Sequence, residues 1–209
     1  MRLTLASTSP SRLRLLRMAG VEPVVVAPEV DEVAVAEAAG GRADPRELVE
    51  LLAVAKAEAV AASAGPEAGL VLGCDSVFEL DGVVYGKPHH AVVAASRWRA
   101  MRGRTGVLHT GHCLIEAATG DRGVSVVSAE VAFADISDAE IDWYVGSGEP
   151  LQVAGAFTLE GLAAPFIRSV SGDPHTVVGL SLAALRELAL GLGVAWPEIA
   201  SRGGSDARL

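Results

Sequence analysis

Seven residues, spread over the first ninety of a 209-residue chain, could do chemistry together: Ser7, Ser9, Arg12, Glu32, Lys56, Asp75 and Lys87. Ser7 and Ser9 stand in MRLTLASTSPSRLRLL, where an apolar run, Leu3 to Ala6, turns through hydroxyl residues into Pro10. Ser9 suits a helix N-cap and Pro10 the first helical position. A strand feeding a helix N-terminus in this way leaves backbone N–H groups aimed at one spot, a setting that attracts anions and phosphates above all. Arg12 and Arg14 could add positive charge there. Taken alone the stretch also reads as an ordinary capped helix. Downstream, Lys56 lies four residues after Leu52 on a largely apolar helix face, from which a lysine commonly reaches back to solvent. Asp75 interrupts the apolar run LVLGCDSVF, where a carboxylate must be paired, protonated or functional. Glu32 follows Asp31 in PEVDE, and Lys87 sits in YGKP. Hydroxyls, lysines and carboxylates in this mixture suit a polyanionic substrate and a divalent cation. Mg2+ takes one or two carboxylates, waters and phosphate oxygens, and phosphoryl or nucleotidyl transfer depends chiefly on positioning and charge neutralisation.

The elements that must hold these residues can be read from punctuation and periodicity. Pro10 begins a helix with Leu13, Leu16 and Ala19 inward, closed at Gly20, and Val24 to Ala27 form a short strand. Residues 33–43, rich in Ala and Gly, are expected as a mobile surface segment. Asp44-Pro45-Arg46-Glu47 opens a helix to about residue 63. Leu70 to Phe78 is a continuous apolar strand of the kind covered on both faces, and Asp81-Gly82 marks a two-residue hairpin. Residues 90–102 form a helix. His109–Ala117 and Val124–Ala134 are long strands joined at Thr119-Gly120, which makes the sheet mixed. Ser137-Asp138-Ala139-Glu140 is a capping box, Phe166–Val170 a further strand, and Thr176–Leu192 one long helix. His109, His112 and Cys113 could be mistaken for metal ligands, but 112 points away from 109 and 113 in a strand, so they are read as structural.

Composition bounds the rest. The chain is 50% hydrophobic with a net charge of −9, long enough to bury its own core, and poorly suited to nucleic acid, which needs a basic surface. A local basic pocket still works, because screening acts over about 8 Å at physiological salt. No apolar run approaches the roughly 18 residues of a membrane span, and charged Arg12, Arg14 and Arg17 interrupt any signal-peptide core. Two cysteines without metal-like spacing fit a reducing, cytoplasmic setting. Residues 1–200 are expected as a single domain, with 201–209 a flexible tail.

In order and spacing, the segments LASTSPSRLRLL, PEVDE, AKAEAV, GCDSVF, YGKP, LHTGHCLI, GEPLQVAGAFTLEGL and GDPHTVVGLSL resemble the Maf family of nucleoside triphosphate pyrophosphatases over nearly the whole chain. The resemblance implies an α/β fold with a twisted mixed sheet flanked by helices, two lobes and a deep central cleft. It implies hydrolysis of a nucleoside triphosphate to the monophosphate and pyrophosphate, assisted by Mg2+ or Mn2+, and a possible homodimer. Carried over by matching position, Asp75 is the proton acceptor and Glu32 a carboxylate near the metal, the two being the expected metal ligands. Ser7, Ser9 and Arg12 hold the triphosphate with Lys56 and Lys87.

Positions 11, 76 and 160 match the family's base-specificity positions. Members selective for dTTP and UTP tend to carry Arg, Thr and Gln there, and a 7-methyl-GTP-selective group Trp, Gln and Glu. This chain has Ser11, Ser76 and Glu160. An ionised carboxylate only accepts, which suits the N1–H and amino group of a guanine edge, so Glu160 favours 7-methyl-GTP-like substrates. Ser11 argues the other way, offering no face for stacking, an interaction worth about 1–3 kcal/mol per base. A dTTP/UTP-type enzyme, a pyrophosphatase for deaminated purines such as ITP, a nucleotide-binding septum regulator without turnover, and a purely structural Lys56–Asp75 ion pair stay open at this point.

Overall fold

A computed structural model of the chain describes residues 1–38 and 44–200. In chain order the elements are β1 (Leu3–Ala6), α1 (Pro10–Met18), β2 (Val24–Val26), α2 (Glu32–Ala38), α3 (Pro45–Ala64), β3 (Leu70–Leu80), β4 (Val83–Tyr85), α4 (Ala91–Met101), β5 (Thr105–Glu116), β6 (Arg122–Phe133), α5 (Asp138–Gly146), β7 (Ile167–Ser171), α6 (Pro174–Val178), α7 (Leu182–Gly191) and α8 (Trp196–Ile199). Short 3-10 turns fill residues 149–156 and 164–166.

One mixed sheet carries the whole, in the order β2-β1-β3-β5-β6-β7 with β4 hairpinned onto β3. β1 is parallel to both β2 and β3, and the remaining pairings are antiparallel. From β1 the chain moves outward to β2, then returns to β3 on the other side of β1. With crossovers of one hand, that reversal puts the two connecting helices on opposite faces of the sheet. Accordingly α1 packs with Leu72, Cys74 and Leu114 on one face, and α3 with Ala6, Val71 and Cys113 on the other. The reversal also opens a crevice beyond the carboxyl ends of β1 and β3, the usual ligand position in open α/β sheets.

α3 lies unusually close to the sheet. A Cβ on Gly111 would come within 2.1 Å of the Val49 carbonyl oxygen, and one on Gly73 within 2.2 Å of that of Ala53. Both glycines admit the helix backbone itself. β3, β5 and β6 are long enough to leave this α/β/α layer and build a second lobe, where Phe78, Trp98, Phe133, Tyr144 and Phe157 pack edge to face.

Four expectations are corrected. Residues 32–38 are helical rather than mobile: Asp31 Oδ1 accepts from the Val33 and Ala34 N–H groups, and the alanines favour helix once it is capped. Residues 39–43, with the tail from 201, lie outside the described residues. The inward side of α1 is Arg12, Leu15 and Leu16, while Leu13 and Ala19 are half-buried. The long helix expected over 176–192 is broken, because Gly179 takes φ 112° at the end of α6 and Ser181 caps α7 by accepting from Ala184 N–H at 3.1 Å. Lys56 does not reach solvent: it is 6% exposed.

Candidate active site

All ten residues singled out from the sequence line one cleft of about 630 Å³ at the strand-order reversal. They form three groups. At its foot, the Lys56 ammonium projects from α3 and is held between two carboxylates. Its Nζ donates to Asp75 Oδ1 at 2.6 Å, and lies 2.8 Å from Glu32 Oε1. α3 crosses the sheet where Gly73 and Gly111 let it approach, which brings Lys56 to the strand residue two after Gly73. Glu32 arrives from the first turn of α2.

The two carboxylates are in unlike surroundings. Burial pushes the Asp75 carboxyl above the ordinary aspartate value, and the charges of Lys56 and Arg12 only partly oppose it. Burial also raises Glu32, but the hydrogen bond and charge of Lys56, with Lys87 and Arg12 behind, bring it below the ordinary glutamate value. One carboxylate is therefore made more basic and its neighbour less so, the kind of divergence that separates roles in a site.

The second group is the β1–α1 loop. Ser9 caps α1, accepting from Arg12 N–H. Ser7 Oγ accepts from Ser9 N–H at 3.1 Å and from Arg12 Nη1 at 3.2 Å. The Arg12 guanidinium is buried and commits most of its donors to the protein. Nε donates to Gly179 O at 2.7 Å, Nη1 also to Cys74 O at 2.9 Å, and Nη2 to Ser76 Oγ at 3.0 Å. Ser76 Oγ in turn meets Thr110 Oγ1 at 2.9 Å, and Thr110 donates to Thr176 O. Arg12 thus ties the loop to β3 and α6, and one of its five N–H donors remains beyond these bonds.

The third group rims the cleft: Ser11, Lys87 and Glu160, the last ion-paired with Arg14. Lys87 follows Gly86, whose carbonyl accepts from Arg97 Nη1 at 2.5 Å and from Gly155 N–H at 3.3 Å. Three participants were missed from the sequence. His89 lines the cleft with φ 60°, a backbone setting unusual for a non-glycine residue. Glu149 organises the loop bearing Glu160, accepting from Tyr144 Oη, Thr158 Oγ1 and Leu162 N–H. Gly179 supplies the Arg12 acceptor. Glu149 and Gly179 stand in the segments GEPLQVAGAFTLEGL and GDPHTVVGLSL, and nothing in the sequence pointed to His89.

His109 and His112 lie on opposite faces of β5, as their spacing requires. His112 is fully buried, its pKa pushed down to about 4 mainly by burial, and its Nε2 accepts from Ser181 N–H at 2.9 Å. Both cysteines are free and buried. Among the described residues no group of three or more His, Cys, Asp or Glu side chains encloses a metal by itself. Glu32 and Asp75 fit a cation shared with substrate: each has a second carboxylate oxygen beyond its contact with Lys56, and both line the cleft.

A family model for Maf-like proteins matches residues 2–191. The chain belongs to this family. A Leifsonia xyli protein named nucleoside triphosphate pyrophosphatase is 56% identical over 98% of this chain and 99% of its own length. A Salinispora tropica protein of the same name is 50% identical over 98% of this chain and 90% of its own. The Staphylococcus aureus Ham1 protein superposes with a TM-score of 0.43 at 14% identity, covering 78% of this chain and 90% of that one, too loosely to bear on the site. No helix among the described residues is long and apolar enough to cross a membrane.

Proposed function

We propose that this Maf-family chain is a nucleoside triphosphate pyrophosphatase, cleaving its substrate to the monophosphate and pyrophosphate. The observation that carries the reading is the buried Lys56 held between Asp75 and Glu32 at the foot of a cleft whose rim is a serine-capped helix N-terminus. A triphosphate enters with its charge toward that N-terminus, Lys87 and Lys56. Ser7, held by Arg12, turns its hydroxyl donor to a phosphate oxygen.

Asp75 then receives a proton from the water that attacks the α-phosphorus. The bond from the α-phosphorus to the oxygen bridging the α- and β-phosphates breaks, and pyrophosphate leaves with the bridging oxygen. The raised affinity of Asp75 for a proton suits this task better than an ordinary aspartate near 3.9 would. Lys56 fixes the carboxylate by its hydrogen bond to Oδ1. Glu32 and Asp75 would hold the divalent cation, Mg2+ or Mn2+, which supplies charge against the phosphates and makes water more acidic.

For the base, Glu160 supports a preference for guanine-type substrates such as 7-methyl-GTP over UTP or dTTP, because it can only accept while ionised. The test is a pyrophosphate-release screen of the purified protein across GTP, 7-methyl-GTP, ITP, UTP and dTTP with Mg2+ and with Mn2+. Metal-dependent release, greatest with the guanine bases, is expected. No release from any substrate would overturn the enzymatic reading in favour of a nucleotide-binding protein without turnover.

A further inference from the structure

Ser11 leaves a gap in base recognition, and the residue three positions further along α1 faces the same side of the helix. That residue is Arg14. It lines the cleft, its side chain is 52% exposed, and it forms an ion pair with Glu160 of the 149–162 loop, 146 residues away in sequence.

Glu160 is not placed there by a loose loop. Thr158 on one side and Leu162 on the other are both bound to the Glu149 carboxylate, by Thr158 Oγ1 at 2.7 Å and Leu162 N–H at 2.9 Å. Gly161 fills the turn between them, where a Cβ would fall 2.3 Å from Thr158 Oγ1 and 2.5 Å from both Glu149 oxygens. The carboxylate of Glu160 is therefore presented from a fixed backbone. An exposed ion pair adds little to stability, so fold maintenance does not account for this one. Arg14 reaches Glu160 through a single N–H group on Nη2, and a guanidinium has five.

We propose that Arg14 reads the nucleobase jointly with Glu160, forming a side-by-side donor and acceptor that match the edge of a guanine-type base. Arg14 donates to the O6 carbonyl, and Glu160 accepts from N1–H and the 2-amino group. This deepens the pyrophosphatase reading and rests on it for the substrate class. Uracil would keep the carbonyl and imide N–H but set its O2 against the carboxylate. Adenine presents the donor and acceptor in reversed order. Methylation at N7 leaves the recognised edge unchanged, so GTP and 7-methyl-GTP share it.

The test compares wild type with Arg14→Ala, Arg14→Lys and Glu160→Gln on GTP, 7-methyl-GTP, ATP and UTP. In Glu160→Gln the ratio of kcat/KM for GTP to that for UTP should fall, and in Arg14→Ala the ratio for GTP to that for ATP, whose amino group meets the Arg14 donors, should fall about tenfold, the size of one hydrogen bond to a charged group, with the change in KM and not in kcat. Arg14→Lys, which keeps a donor, should recover part of it. An equal loss on all four nucleotides would overturn the proposal by assigning Arg14 to the phosphates. No change in either ratio would overturn it by leaving only a surface ion pair. If wild type releases no pyrophosphate, the enzymatic reading fails separately. Calorimetric binding of the α,β-methylene analogues of GTP, ATP and UTP then reads the same ratios in the same variants.

Discussion

Two polar clusters stand on the same face of the sheet, both touched by α3. One is Lys56 with Asp75 and Glu32 in the cleft. The other begins at Arg46, in the first turn of α3, and runs through Ser128 on β6 and His109 on β5 to Glu79 on β3. Arg46 Nη1 donates to Ser128 Oγ at 2.6 Å, Ser128 Oγ meets His109 Nδ1 at 2.8 Å, and His109 Nε2 meets Glu79 Oε2 at 3.2 Å. On residue types alone, a serine, a histidine and a glutamate in a row suggest chemistry more loudly than a lysine between two acids. Position says otherwise: none of Ser128, His109 and Glu79 lines the cleft, and each member is bonded along the row, with Arg46 at one end and Glu79 at the other. It is a chain closed on itself, fastening the start of α3 to the sheet. The cleft cluster differs in having capacity left over: two carboxylates share one ammonium, and burial has raised the proton affinity of Asp75. Residue types shared with known sites matter less than unfilled hydrogen-bonding capacity beside a cavity.

The widest separation between the clusters should come from Asp75→Asn. Loss of the proton acceptor is expected to lower pyrophosphate release by about 10²- to 10⁴-fold, while the melting temperature stays near wild type or rises, since a buried carboxylate is replaced by a neutral amide. Turnover close to wild type in the folded variant would remove Asp75 from the chemistry. A pH profile sharpens the same point. Asp75 must be ionised to accept a proton, so kcat/KM should fall as acid protonates it, the loss approaching tenfold per pH unit on the acid limb. A rate that stays flat as acid is added through the carboxylate range would contradict the role.

Gly111 lies under α3 at Val49, between Arg46 and Lys56, so one substitution there tests what the clusters share. Gly111→Ala would drive a methyl group against the Val49 carbonyl oxygen. Overpacking of this kind costs about 1–3 kcal/mol, measurable by chemical denaturation, and α3 must shift to relieve it. Turnover should fall as well, because Lys56 moves with the helix. A loss of stability with unchanged kcat would mean that Lys56 tolerates the shift and is not closely positioned.

How much of this was legible beforehand follows the range of the interactions. Ser9-Pro10, Asp44-Pro45 and Ser137 to Glu140 declared their helices, and Asp81-Gly82 its hairpin, because each signal is complete within four residues. The members of the cleft were legible as a set, through residue types in a familiar order. Their mutual arrangement was not. Lys56 meets Asp75 only because two glycines admit α3, and Arg12 finds its acceptor at Gly179, 167 residues away. The α2 segment was misread because EVAVAEA buries no residue and so carries no helical apolar period, although the Asp31 cap was in view. The break at Gly179 was missed because the flanking residues fit one continuous helix.

The smallest expected effect is also the one that bears most directly on the contrast between the clusters. Ser128→Ala removes the link between His109 and Arg46. Arg46 keeps a weaker contact to Val126 O at 3.4 Å and has access to water, and His109 keeps Glu79. One net hydrogen bond is lost, worth about 0.5–1.5 kcal/mol, so denaturation should show a small loss of stability. Pyrophosphate release should stay within about twofold of wild type, since 1.4 kcal/mol in a barrier would be needed for tenfold and neither Ser128 nor His109 nor Arg46 lines the cleft. A fall in turnover matching that of Asp75→Asn would show that the serine, histidine and glutamate take part in the reaction after all, and that closure of the hydrogen bonds is no guide to role.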